Sequence, residues 1–562
     1  MKEKIRKVLN EILTILNWET NFDLEEPPKE IRFDLATNIP IVVSKKYNID
    51  TQLVFEQIKN LCLRHFGTYL FSDIIYSPPG FINFNLSKDL LLEEIKQIIL
   101  TAEKYPVCDP KEGIKVLIEF VSANPTGPLH IGHGRSAVLG DVLGNIFKKL
   151  GYDITKEYYI NDIGRQINVL SASVVMSLYN YDNSSVDNEI KTFCENIVQQ
   201  TCYKGDYIRE IALKVKSNFG KVDKENFKEV QKFIVATIME EIKLSLKNFR
   251  IIFDNYFYES SLYEPNFVQK VKELLIKNSL VEEKDNAIWF KSSEFGDDKD
   301  RVIIRSTGEP TYFFSDILYH YNKIQRGYNF LINIWGTDHH GYVERVKLAF
   351  EKICSFENYN AKLEIILYQL VSLVKDGQRI SMSTREGKFI TLDEVVNEVG
   401  VDVTRFFLLT KSPNTHLDFD FELAKEHSLK NPVYYIQYAH TRCCSILSEV
   451  DKIINLETVN SYLEEYLKQL YGHKFVDSEL SLVKKLVFYP DVLNLCIETF
   501  SVHHLCNYLI DLARIFHKFY EECRVIDRNK IIVYPRLLLV IATKNVIKNA
   551  LDVLNITAPQ KM

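Results

Sequence analysis

The sequence predicts a multidomain α/β protein. A central domain built on a parallel sheet carries a helical insertion, with an α+β domain before it and an all-α domain after it. Three observations point there. The chain has 562 residues, more than one hydrophobic core usually holds. Lys115 to Val121 (KVLIEFV) is a continuous apolar run of buried-strand type, followed by a Pro/Gly loop and an amphipathic helix. Beyond about residue 425 the pattern is helical to the end. The resulting division is 1–105, 106–425 with an insertion at about 180–295, and 426–562.

Composition narrows the class. The chain is 46% hydrophobic and 26% charged, with 69 Lys and Arg against 75 Asp and Glu, which is ordinary for a soluble globular protein. A net charge of −6 argues against a uniformly basic nucleic-acid binder but not against a local basic face. The ten cysteines form no CxxC pair and no zinc-type cluster, and vicinal Cys443 and Cys444 cannot close an ordinary disulfide. Free thiols in a reducing cytosol follow. No apolar run reaches ~18 residues, so no membrane span is expected.

The first 18 residues read as an amphipathic helix with Ile5, Val8, Leu9, Ile12, Leu13 and Leu16 on one side, without the apolar block of a signal peptide. The turn Ser77-Pro78-Pro79-Gly80 leads to a strand over Phe81 to Asn85, then to a helix through Ile99. The linker KYPVCDPKEG is the clearest boundary. After the strand at 115–121 comes the loop with Pro125, Gly127 and Pro128. The next helix carries Val138, Leu139, Val142, Leu143, Ile146, Phe147 and Leu150 on one face and stops at Gly151. Such a βαβ unit belongs to a parallel sheet that takes ligands at the carboxyl ends of its strands. A second strand, Phe330 to Trp335, leads into Gly336-Thr337-Asp338-His339-His340-Gly341.

The chemistry concentrates at the first strand-to-helix junction. His130 and His133 put two imidazoles at a helix amino terminus, where backbone N–H groups and the dipole already favour anions. They can donate to an α-phosphate and a departing pyrophosphate. Gly132 removes a Cβ where an adenine ring would lie. A capping role or a metal pair are the alternatives; a metal would need further ligands, and none is offered nearby. In this context the pair is the HIGH signature of class I aminoacyl-tRNA synthetases, and EFVSANPTGPLHIGHGR resembles its arginyl-tRNA synthetase form. That resemblance implies a Rossmann-type nucleotide-binding domain, use of ATP with Mg²⁺, and no protein metal site.

It also implies a mobile K-M-S-K loop over the triphosphate. The best match is Ser381-Met382-Ser383-Thr384-Arg385-Glu386-Gly387-Lys388, which keeps Met382 and Ser383 but has neither lysine. Arginyl enzymes often lack the second lysine and use one just before the histidines, where this chain has Gly127. Arg385 or Lys388, with Arg379, is expected to supply the charge. For the amino acid, a guanidinium needs carboxylates matched to its planar fork. Glu119 ends the first apolar strand, an unexpected place for a carboxylate unless something pairs it. Asp316 lies one helical turn from Tyr312. The family's substrate contacts map onto Glu119, Asn124, Tyr312 and Asp316, with Ser122 and His130 beside them. Gly336, Asp338 and His339 match the position that holds the adenosine.

The segment 401–424 and NPVYYIQYAHTR (431–442) resemble the junction and helices of the DALR-type anticodon-binding domain. Tyr434 and Tyr438 offer faces to unpaired bases, although aromatics at this spacing are more often core. The amino-terminal domain resembles the one that contacts the tRNA elbow, with Phe81 and Asn83 as the expected contacts. The family reading is thus a cytoplasmic, monomeric arginine–tRNA ligase acting on L-arginine, ATP and tRNA(Arg), whose adenylation requires tRNA. The alternative is a catalytically altered RNA-binding paralogue, favoured only by the missing loop lysines.

Overall fold

The structure, a computed structural model, describes residues 1–28, 33–199, 201–375, 377–380, 390–454 and 463–562. Its first helix, Lys2–Ile15, buries Ile5, Val8, Leu9, Ile12 and Leu13, the stripe that a 3.6-residue period requires. With helices Ile39–Tyr47 and Thr51–Phe66 it covers a four-stranded antiparallel sheet, ordered Leu24–Glu25, Leu35–Thr37, Phe81–Leu86, Phe71–Ser77. Helix Lys88–Thr101 then crosses toward the carboxyl-terminal helices.

The central sheet has five parallel strands in the order Lys362–Tyr368, Phe330–Gly336, Lys115–Glu119, Asp153–Ile160, Asn255–Tyr258. The chain moves outward from Lys115–Glu119 in one direction, then returns to its other side with Phe330–Gly336. That reversal is a topological switch point, and a crevice opens there at the strand carboxyl ends. Helix Ile131–Lys149 covers the sheet and is buried over most of its length, since the carboxyl-terminal helices pack on its far side.

Two expectations change in detail. The first strand ends at Glu119 rather than Val121, because Val121 and Ser122 adopt φ of +64° and +41°, a conformation that costs non-glycine residues energy and turns the chain out of the sheet. The span 180–295 is two inserts rather than one. Helices from Arg165–Tyr181 to Phe227–Asn248 form the first, Asn255–Tyr258 returns to the main sheet, and helix Pro265–Lys277 with a three-stranded antiparallel sheet (281–304) forms the second. A short edge strand of NYFY composition carries too weak a pattern to show between two helical stretches.

Beyond residue 425 the described residues form six helices, from Pro432–Asp451 to Tyr534–Val553. The last is buried on nearly every side, packed on Pro432–Asp451, Leu463–Gly472 and Lys88–Thr101. An ion pair between Lys484 and Asp34 (2.6 Å) further joins the two ends of the chain.

Candidate active site

His130 is the N-cap of helix Ile131–Lys149. Its Nδ1 accepts from the Gly132 N–H (3.1 Å), and the Nδ1 of His133 accepts from the His130 N–H (3.3 Å). The rings stack with centroids 3.7 Å apart. Burial, together with His130, pushes the pKa of His133 down to about 3, and burial lowers that of His130. Both imidazoles are therefore neutral, and because each Nδ1 accepts, each proton sits on Nε2. The capping role and the anion-binding role are compatible: one nitrogen caps, the other remains a donor. A Cβ at Gly132 would stand 2.9 Å from the Cε1 of His130, so a side chain there would displace that ring.

At the switch point lies a cleft of about 520 Å³ lined by Glu119, Ser122, Asn124, His133, Tyr312, Asp316, Gly336, Asp338 and His339. These nine were expected at the site from sequence and come from four separate segments; thirteen others line the cleft as well, and His130, also expected on the arginine, does not. Glu119 is only 5% exposed. Its Oε1 accepts from the Ser122 hydroxyl (3.1 Å) and its Oε2 from the Lys323 ammonium (2.7 Å). Lys323 is fully buried, donates also to Asn333 Oδ1 (3.0 Å), and stands 4.0 Å from the Tyr319 ring centroid. The Asn333 amide donates to Nε2 of His320 (2.8 Å), whose Nδ1–H meets the Asp316 carbonyl (2.8 Å). A continuous chain of hydrogen bonds thus links Glu119 to the backbone of Asp316.

This corrects the reading of Glu119. A carboxylate in an apolar strand does need a partner, but Lys323 already provides one. Next to it in register, Glu157 is equally satisfied by Arg326 (2.8 Å to Nη2), Tyr319 and Asn255. Asp316 differs: among the described residues no hydrogen bond reaches its carboxyl, and burial, then Glu119 and Glu259, push its pKa up to about 8.

Sequence reasoning missed Glu259, which the short strand Asn255–Tyr258 delivers to the same cleft. It is 5% exposed, surrounded by the hydroxyls of Tyr159, Ser315 and Tyr263, with a pKa raised mainly by burial. Its signal was hidden with that strand. Lys323 was missed because one lysine on a helix is ordinarily read as solvent-facing.

Glu119, Glu259 and Asp316, with Asp338 at the exposed rim, against one buried ammonium make a cavity that suits a cation. Tyr312 stands 60% exposed at the rim. Asp338 and His339 are exposed on the helical turn after Phe330–Gly336, with 3.6 Å between His339 Nε2 and Asp338 Oδ2. A second cleft of about 830 Å³ shares Asn124, His133 and Gln166 with the first and adds His130, Arg165, Lys204 and Tyr207.

Met382, Ser383, Arg385 and Lys388 lie outside the described residues. Just beyond them, Thr391 pairs with His130 in an isolated bridge, and the Leu392 N–H donates to the Leu129 carbonyl (2.8 Å). Arg379 is spent on Asp418 (3.1 Å) at the surface. Of the expected RNA contacts, Phe81 is exposed, but Asn83 is a correction. It is 3% exposed and gives its amide to Ser77 (2.6 Å): although it shares a sheet face with exposed Phe81, it lies mid-strand between Ala36 and Ile75 of the two flanking strands. Tyr434 and Tyr438 are half-buried with near-parallel rings, and Arg442 lies over Tyr438.

Three family models match this chain: an arginyl tRNA synthetase N terminal domain over 1–86, a class I (R) tRNA synthetase catalytic domain over 94–420, and a DALR anticodon binding domain over 436–562. An arginine–tRNA ligase of Aquifex aeolicus is 39% identical, with all of this chain aligned to 99% of that one. One from Bacillus pumilus is 37% identical over 96% of this chain and 94% of its own. Among solved structures, arginyl-tRNA synthetases of Thermus thermophilus (TM-score 0.74, 19% identity, all of both chains) and Plasmodium falciparum (0.76, 20%, all of this chain and 99% of that one) share the fold.

Proposed function

The chain belongs to the arginyl-tRNA synthetases and is an arginine–tRNA ligase, and from that premise we propose how its clefts divide the work. The carboxylate cleft takes the arginine side chain, with Asp316 and Glu259 on the guanidinium and Glu119 held beside them by Lys323. Asn124 and Ser122 serve the amino-acid end. Gly336, Asp338 and His339 face the adenosine of ATP. One observation carries this reading: three carboxyls share a cavity with His133, whose Nε2 proton meets no acceptor among the described residues.

In the first step a carboxylate oxygen of arginine attacks the α-phosphorus of ATP, the bond to the β-phosphate oxygen breaks, and pyrophosphate leaves. The Nε2–H groups of His130 and His133 meet the charge that builds on the phosphate oxygens. In the second step a ribose hydroxyl at the tRNA 3′ end attacks the arginyl carbonyl, and AMP departs. Arg385 or Lys388 is our candidate for the triphosphate's counter-charge. The pairing of Thr391 with His130 supports it, since the residues that follow Arg385 and Lys388 in the chain abut the nucleotide site. Mg²⁺ enters with ATP as part of the substrate; among the described residues no cluster of three His, Cys, Asp or Glu would hold it.

We further take the boundaries as about 105 and 425, the enzyme as a cytoplasmic monomer, Phe81, Tyr434 and Tyr438 as tRNA contacts, and activation as requiring bound tRNA. Arginine-dependent ATP–pyrophosphate exchange tests the reading. Exchange that needs tRNA supports it in full; exchange without tRNA removes the dependence; none under either condition, with RNA still bound, would establish the silent paralogue.

A further inference from the structure

An aromatic side chain of the first insert reaches the nucleotide loop. Tyr207, in the first turn of helix Asp206–Phe219, donates its hydroxyl to the Thr126 carbonyl (3.0 Å). Its ring lies against Gly127, where a Cβ would stand 3.3 Å from both Cζ and Oη. Tyr207, Thr126, Gly127, His130 and His133 line one cleft. From the core side the same loop is held by the hydroxyl of buried Tyr158, which donates to the Ala123 carbonyl (2.8 Å).

The loop needs such anchors. It leaves the sheet through the two positive-φ residues Val121 and Ser122, so regular strand pairing ends at Glu119, and non-glycine residues persist in that conformation only when their surroundings hold them. His130 lies four positions beyond Thr126, and in the site reading its Nε2 faces the phosphate. A shift of the loop at Thr126 carries into that geometry, and displacements of about 1 Å are enough to lose catalysis.

We propose that Tyr207 is a positioning residue for ATP: by holding the Thr126 carbonyl and packing over Gly127, it fixes the loop that presents His130. Arginine recognition, on the far side of Asn124, does not depend on it. The proposal rests on the site reading above and gives the first insert a task at the catalytic centre.

The test is pyrophosphate exchange by the full-length enzyme with tRNA present. Tyr207→Phe keeps the ring and removes one hydrogen bond, so the KM for ATP should rise about 3- to 10-fold while that for arginine stays within about twofold. Gly127→Ala, which presses a methyl on the ring, should shift the ATP value in the same direction, and the double variant should be less than additive because both act on one contact. Unchanged ATP kinetics in Tyr207→Phe, or an equal rise in both KM values with a lowered unfolding midpoint, would overturn it. A wild-type enzyme without arginine-dependent exchange would instead overturn the site reading.

Discussion

Asp316 sits where ionisation is discouraged. Burial, then Glu119 and Glu259, raise its pKa to about 8, with Lys323 opposing; neutral His320 and the phenols of Tyr159 and Tyr263 also lie around it. A guanidinium pairs with the carboxylate form, so below pH about 8 binding must release a proton. Arginine affinity therefore rises with pH, by up to about tenfold per unit between 6 and 8, and levels off above. Titration of the arginine Kd across that range checks it; Asp316→Asn should bind weakly with a flat profile. Lys323 is the complementary case. Lys323→Met leaves Glu119 buried without its cation and should destabilise by about 3–5 kcal/mol in chemical denaturation, part of which Lys323→Met/Glu119→Gln recovers. The sequence could flag Glu119 as anomalous but not name its partner, since Lys323 lies 204 positions away and only the fold brings them together.

At the scale of elements, helix Tyr312–Gln325 and its cap set the charge balance of the site. Lys323 and, one turn on, Arg326 neutralise Glu119 and Glu157 on adjacent strands, while Tyr312 and Asp316 at the other end line the cleft. The spacing of Tyr312 and Asp316 was legible because it is local. So were the HIGH helix, the amphipathic first helix and the strand at 330, each a strong short-range pattern. Asn255–Tyr258 was not, because a four-residue edge strand is defined by its neighbour in the sheet, and Glu259 was lost with it. Helix Pro432–Asp451 shows the converse: Tyr434 and Tyr438 repeat at helical spacing, which alone reads as core, yet both remain half-exposed, with Arg442 over Tyr438. Tyr438→Ala should weaken tRNA binding by about 1–3 kcal/mol per stacked base lost, read as a raised KM for tRNA with that for arginine unchanged.

At the scale of the molecule, one buried cation ties the catalytic domain to the chain's end. The Arg405 guanidinium is fully buried and donates to the Leu554 carbonyl (2.8 Å), the Phe249 carbonyl (2.8 Å) and Asp141. Asp141, on the helix that begins at the HIGH histidines, also accepts from Lys156 (2.6 Å) and Asn555 (2.9 Å). Burial would raise the pKa of Asp141, yet Arg405 and Lys156 hold it below the usual carboxylate range. A depressed carboxylate pKa contributes stability that is present above the unfolded value of about 4 and is lost as pH falls through the folded one. Arg405→Met removes both carbonyl contacts and the stronger of the two charges that hold the Asp141 pKa down. It should cost about 3–5 kcal/mol at neutral pH and shrink the loss of stability on acidification below pH 4. Because Arg405 spans three segments, the variant should also loosen the helical domain against the sheet, so that tRNA charging falls more than arginine-dependent exchange does. Denaturation curves at pH 7 and pH 3.5, with both assays on the same preparation, decide this. Equal loss in both assays at unchanged stability would mean that the two halves of the enzyme are coupled elsewhere.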